Sequence, residues 1–183
     1  MGNREDLLAG AKKCLYEKGY ARTTARDIAS AAGVSLAAIG YHYGTKEALL
    51  NAAVQQALEE WGADLQRILA SSSGLPPGER FEAAWDRVIQ SFADNRPLWS
   101  IQFELIGLGD PATLEGFAEV NRDARLALVE LFGDFGHADE RSILLLGTLY
   151  QALVGGVASQ WLVDPGGTFT GASLREALTL LRP

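Results

Sequence analysis

Apolar residues recur along the chain at spacings of three and four, and no stretch alternates with period two, so the pattern predicts helices throughout. The first runs from about Arg4 to Lys18, with Leu8, Ala11 and Leu15 on one face and Gly19 after it as a left-handed C-cap. Thr24-Ala-Arg-Asp27 has the form of a capping box, with Thr24 as the cap of a short helix that turns Ile28, Ala29 and Ala32 inward and stops at Gly33. Ser35 is the expected cap of a third short helix over 36–42, with Ile39 buried and Gly44 as its breaker. Thr45 caps a long fourth helix from Lys46 to about Ala70, and Glu47 near its start suits the helix dipole.

Beyond a Ser/Gly/Pro loop at 71–78, helices are expected over 79–94, 98–106 and 111–132, the last opened by Asp110 with Pro111 at its first position. Gly133–Gly136 interrupts the chain before a long helix over 139–163, which Asp164-Pro-Gly-Gly167 ends. A short amphipathic helix closes the chain, with Leu174, Ala177, Leu178 and Leu181 on its apolar side.

Composition then limits the class. With 183 residues, 48% of them hydrophobic and 21% charged, the chain is of ordinary globular make-up and long enough for a core. One cysteine, Cys14, can form no internal disulfide, and the N-terminus lacks the apolar core of a secretory signal; both fit the cytoplasm. Net charge is −7, but it is unevenly spread. Residues 1–47 carry seven Lys/Arg against five Asp/Glu, while 48–183 carry nine against eighteen, and all four lysines lie in the first segment. A polyanion would meet the N-terminal segment.

Ser142–Val163 holds 22 residues without a charge, long enough to cross a bilayer. Its two glutamines, its glycines and the lack of a one-sided basic flank argue against a membrane span and for burial in a core or a large interface.

Two short helices joined across Gly33 have the dimensions of a helix-turn-helix, whose second helix enters the DNA major groove while the first crosses the backbone. Helix 36–42 suits that part, since Ala37, Ala38 and Gly40 let its backbone approach base edges and Tyr41 and His42 follow. Thr24 stands at a helix N-terminus, which attracts phosphate, and Lys46 can supply a further phosphate contact. Arg26 can pair with a guanine edge, or be merely solvated. His42 is open between a turn hydrogen bond and a phosphate contact, and Tyr43, four residues after Ile39, reads as core.

Thr24-Ala-Arg-Asp-Ile-Ala-Ser-Ala-Ala-Gly-Val-Ser35, followed by Ile39, Tyr41-His-Tyr43 and Thr45-Lys-Glu-Ala-Leu49, resembles the DNA-binding region of the tetracycline-repressor (TetR) family over about the first 50 residues. The resemblance implies an all-α homodimer with an N-terminal three-helix DNA-binding domain, 1–47, and a helical ligand-binding and dimerisation domain, 48–183. Carried over by position, it places Thr24 as a phosphate-binding cap and Arg26 as a base contact. Ser35, Leu36, Ala37, Ala38, Gly40 and Tyr41 fall on or beside the recognition helix, and His42 and Lys46 on backbone contacts. Gly40 stands where the family usually has Tyr, and Leu36 where a polar residue is common, so thymine methyls and DNA shape would carry more of the reading.

All four tryptophans fall after residue 47. Trp61, Trp85, Phe92, Trp99, Phe103 and Tyr150 are the candidate lining of an apolar effector pocket, although an aromatic at helical spacing reads equally as core. Arg87, Arg96, Gln102 and Glu104 are its candidate polar anchors, equally readable as surface charges. The family resemblance puts dimerisation on the last two long helices, where Ala152 with Gly156 and Gly155 with Ser159 allow close approach.

His42 and His137 lack ligand spacing, and no nucleophile elbow, dinucleotide fingerprint or phosphate loop is present. No enzyme, cofactor or metal is therefore expected. The sequence reads as a ligand-responsive transcriptional regulator, a repressor released from a palindromic operator by a small, largely apolar effector. The other reading is a helical dimeric module that binds a protein or membrane partner.

Overall fold

The computed structural model describes residues 3–69, 74–132, 139–167 and 169–181. Their order is α1 (Asn3–Lys18), α2 (Ala25–Ala32), α3 (Ala37–Tyr43), α4 (Lys46–Leu69), α5 (Pro77–Asp94), α6 (Arg96–Leu108), α7 (Pro111–Phe132), α8 (Glu140–Val163) and α9 (Gly171–Leu180), with no strand among the described residues. The expected all-α class is thus found. The Gly133–Gly136 break, the start of the 71–78 loop and His137 lie outside the described residues.

The helices pack into two units. One runs to Glu60 and takes in Pro97–Ala118; the other comprises Trp61–Arg96 and the chain from Glu119 onward. Packing therefore groups residues differently from a functional division at 47/48, because α4 from Leu49 through Ala57 buries its apolar side inside the first unit.

In the first unit, α1 buries Leu7, Gly10, Ala11, Cys14 and Leu15 and packs mainly on α2. Leu8, expected on this face, is only half-buried and Leu7 takes its place. The close approach of α1 to α2 explains the shift in phase. A Cβ on Gly10 would stand 3.0 Å from that of Ala32 and 3.1 Å from the Ile28 carbonyl oxygen, so the helices touch at Gly10. Ala32 itself is half-buried. Inside the turn before α2, buried Thr23 donates its hydroxyl to the carbonyls of Gly19 (2.7 Å) and Cys14 (3.3 Å), so no polar atom is left unpaired there.

A hydrogen-bonded chain fastens α4 and the start of α7 to this bundle. Tyr20 donates its hydroxyl to Asn51 Oδ1 (3.3 Å), Asn51 Nδ2 donates to Thr113 Oγ1 (2.7 Å), and Thr113 donates to the Asp110 carboxylate (2.7 Å). Asp110 also accepts from the Thr113 backbone N–H at 2.9 Å, which makes it the N-cap expected before Pro111. The two bonds from Thr113, led by its hydroxyl, hold the Asp110 carboxyl below its ordinary range.

The second unit is built on aromatic rings. Trp85 and Phe92 of α5 have no exposed surface, and Val88 lies buried between them. Trp85 stacks on Phe132 at 4.6 Å between centroids, and Phe132 continues to Tyr150 of α8 at 4.9 Å. Helix α9 rests on α5, where the Gly171 N–H donates to the Asp86 carboxylate at 2.7 Å and Arg175 pairs with Glu82. Leu174 is buried, whereas Leu181, expected on the same side, is 77% exposed because α9 ends at Leu180.

Candidate nucleic-acid interface

Thr24 caps α2 as the sequence requires. Its hydroxyl oxygen accepts from the Asp27 N–H (3.2 Å), and the Asp27 carboxylate reaches back to the Thr24 N–H (2.9 Å), closing the capping box. Lys18, at the end of α1, donates to the other carboxylate oxygen of Asp27 at 2.5 Å. That bond, followed by those from Thr24, holds the Asp27 carboxyl far below the usual carboxylate range, and the same bond raises the Lys18 ammonium. The charged pair thus ties the end of α1 to the start of α2. Lys18 is a residue that sequence reasoning missed, since no helical spacing relates two positions nine apart across a turn.

The link from α2 to α3 depends on Gly33, whose φ of 67° lies in the left-handed region that side chains disfavour. Its N–H donates to the carbonyls of Ala29 and Ser30, ending α2. The expected cap at Ser35 is not formed. Leu36 is already helical, with φ −56° and ψ −34°, so it occupies the N-cap position of α3 and no side chain caps that end. Ser35 contributes its carbonyl, which accepts from the Ala38 N–H at 3.0 Å, and its side chain remains exposed.

Helix α3 has two sides. Ala38 and Ile39 face the core, with Ala38 only 8% exposed. Ala38 is therefore withdrawn from the base-reading set: one residue separates it from Leu36 and from Gly40, which puts it on the opposite side of the helix from both. The outward side carries Leu36 (49% exposed), Ala37, Gly40 and Tyr41 (86% exposed). No heavy atom lies within 4 Å of where a Cβ on Gly40 would be, so the α3 backbone is open at that point. Half-buried His42 sets its ring edge-on to Tyr41, 4.8 Å between centroids.

Tyr43 is half-buried rather than core. Its hydroxyl donates to the Arg4 carbonyl at 3.0 Å, and the Arg4 guanidinium lies 5.2 Å from its ring centroid, so it fastens the end of α3 to the start of α1.

Of the two expected cationic contacts, Arg26 is exposed on the first turn of α2 and makes no bond to the described residues. Lys46 is partly engaged: its ammonium donates to the Thr23 carbonyl at 3.2 Å and lies 3.3 Å from the Glu47 carboxylate. Thr24, Arg26, Ser35, Leu36, Ala37, Gly40 and Tyr41 thus share exposure on α2, α3 and the turn between them.

The six aromatic candidates are divided between the two units. Trp99 and half-buried Phe103 belong to the first unit, and Trp61, Trp85, Phe92 and Tyr150 to the second. Trp61 donates its ring N–H to Ser91 Oγ at 2.9 Å. Among the polar candidates, Arg87 is exposed and bonds Gln90 at 3.3 Å, while Arg96 covers the Trp161 ring at 5.7 Å. Gln102 and Glu104 are half-buried in the first unit. On α8, Ala152, Gly156 and Ser159 are exposed and Gly155 is half-buried.

Two short helices set across a glycine turn, with an exposed second helix, define a helix-turn-helix protein. The sequence profile of bacterial regulatory proteins of the tetR family matches residues 7–53. The chain is similar to the transcriptional repressor AcnR of Corynebacterium efficiens, 38% identical over 56 residues, 31% of this chain and 30% of that one. It is likewise similar to the repressor Rv1474c of Mycobacterium tuberculosis, 36% identical over 72 residues, 39% of this chain and 36% of that one. The matched stretches span about a third of those relatives' own length.

Over nearly the whole chain, the fold is that of the putative transcriptional regulator SCO7518 from Streptomyces coelicolor, with a TM-score of 0.73 at 24% identity over 97% of this chain and 96% of that one. The multidrug binding protein EbrR, solved with imidazole, shares it at a TM-score of 0.72 and 23% identity over 98% of this chain and 89% of that one. Residues 7–53 thus resemble the tetR family of regulatory proteins in sequence, and nearly the whole chain shares its fold with SCO7518 and EbrR.

Proposed function

We propose that this protein is a DNA-binding transcriptional repressor that acts as a twofold dimer and releases its operator when a small, largely apolar molecule binds. The observation that carries the reading is the outward side of α3, where Leu36, Ala37, Gly40 and Tyr41 are exposed around an open stretch of backbone. Tyr41 in particular leaves most of a large ring in water, where it is free to meet a base edge or a phosphate. Two copies would set their α3 helices in successive major grooves about 34–36 Å apart on a palindromic site. Thr24, Arg26 and Lys46 would supply phosphate and guanine contacts around them.

Helix α8 supports the dimer. It is long and apolar enough to span a membrane, yet only 28% of its most apolar window is buried in the chain's own packing. Its exposed residues Leu145, Leu149, Ala152, Gly156, Ser159 and Val163 follow one line along the helix. Gly156 and Ser159 make that line a poor lipid face and a good surface for a second helix. An effector in the 48–183 part need supply only about 1–3 kcal/mol of coupling to change DNA affinity 5- to 150-fold.

Gel-shift titration tests this on duplexes selected from a random library by the protein itself. Wild type is expected to bind below micromolar, with affinity falling steeply as salt rises. Arg26→Ala should cost about 1–3 kcal/mol on selected sequences only, whereas Lys46→Ala should weaken all sequences alike. Binding indifferent to both sequence and salt would instead favour a helical module that docks on a protein partner.

A further inference from the structure

We propose that α3 selects its site by the C5-methyl groups of pyrimidines, with Gly40 as the notch that admits a methyl, so that 5-methylcytosine can stand in for thymine. The inference rests on the reading of α3 as the helix that enters the major groove, and it names what that helix recognises there.

The chain's own packing has no use for a glycine at position 40. Glycine weakens a helix interior relative to alanine, because it loses more backbone freedom on folding. At Gly10 a neighbouring helix requires it, since a Cβ would come within 3.0 Å of Ala32. Gly40 is different. No heavy atom beyond its own helix backbone and its two neighbours lies within 4 Å of where its Cβ would be, and its φ is outside the left-handed region. A close approach from outside the chain is what remains to exclude a side chain there.

The flanks of the notch decide what approaches. Leu36 stands four residues before Gly40 and Ala37 three, so both lie beside it on one side of α3, and Tyr41 is one turn beyond Ala37. All four are exposed. From Leu36 to Tyr41 the side chains carry no charge and one hydrogen-bonding group, the Tyr41 hydroxyl.

Such a side cannot sort bases by their donors and acceptors, as paired amide or guanidinium groups do. The apolar feature that the major groove offers is the methyl on C5 of thymine. Leu36 and Ala37 beside an open stretch of backbone match it in polarity and size. 5-Methylcytosine carries the same methyl on the same ring atom and differs from thymine at C4, where a donor replaces an acceptor. The Tyr41 hydroxyl both donates and accepts, so it tolerates either.

Wild type is titrated with a duplex that it has selected, in which thymines are exchanged singly for deoxyuridine, a change that removes the methyl and keeps the pairing. At one position or more in each half-site the exchange should weaken binding about threefold or more, and about tenfold when both half-sites are changed. At the same position, 5-methylcytosine paired with guanine should bind more tightly than cytosine by that same factor. Gly40→Gln fills the notch and should erase both differences, with its helix content by circular dichroism kept because position 40 meets open space. The two exchanges on wild type decide the methyl reading whether or not the variant folds. Deoxyuridine binding like thymine at every position, or 5-methylcytosine like cytosine, would overturn the methyl reading and leave the DNA-binding reading standing. A methyl effect undiminished in Gly40→Gln would overturn the part given to Gly40. Failure of wild type to select any duplex would overturn the DNA-binding reading itself.

Discussion

A Trp85→Ala variant is expected to lose about 3–5 kcal/mol of stability and to melt roughly 10 °C or more below wild type. Trp85 has no exposed surface, stacks face to face on Phe132 and is flanked by Phe81, so its removal leaves a hole bounded by rings from α5 and α7. Rings of this size cannot close such a space by small rotations, so the cavity cost adds to the lost transfer energy. Trp85→Phe should cost much less, because it keeps a stacking ring and removes the acceptor-less Nε1. Urea titration followed by circular dichroism gives both values. A loss below about 1 kcal/mol for the alanine variant would show that the ring is not packed as described.

Leu149→Glu is expected to turn a dimer into a monomer without disturbing the fold. Leu149 is exposed midway along the outward line of α8, so its substitution removes little from the unit's own core. In a twofold interface the same patch is used by both copies, so the carboxylate is buried twice. Two uncompensated charges should weaken association by roughly 3 kcal/mol or more, at least a hundredfold. Sedimentation of wild type should give about twice the 19.6 kDa chain mass, and of the variant the chain mass alone. Unchanged sedimentation of the variant would remove α8 from the interface.

What the sequence disclosed was local. The Thr24–Asp27 capping box, the Gly33 turn and the Asp110 cap each involve residues three or fewer apart or one backbone conformation, and residue type at short spacing identifies them. The charge-free run in α8 was equally plain, because exclusion of charge over six turns needs no partner to be seen. The side of a short helix that faces inward was not.

Ala38 looked like an outward small residue until the packing of Ile39 set the phase of α3, and Leu7 displaced Leu8 once Gly10 brought α1 against α2. Ser35 failed as a cap because Leu36 had already turned helical. Contacts between Arg4 and Tyr43, Lys12 and Glu60, and Asn51 and Thr113 join positions 39, 48 and 62 apart. No periodicity in the chain links such pairs; only the packed bundle does.

The outward side of α3 is tested most directly by the amide resonances of nitrogen-labelled wild type titrated with a duplex that the protein has selected. The expected result is that Thr24, Arg26, Leu36, Ala37, Gly40 and Tyr41 move first and furthest, while buried Ala38 and Ile39 shift only as their neighbours do. Changes confined to the second unit, or none at all with DNA in excess, would contradict it.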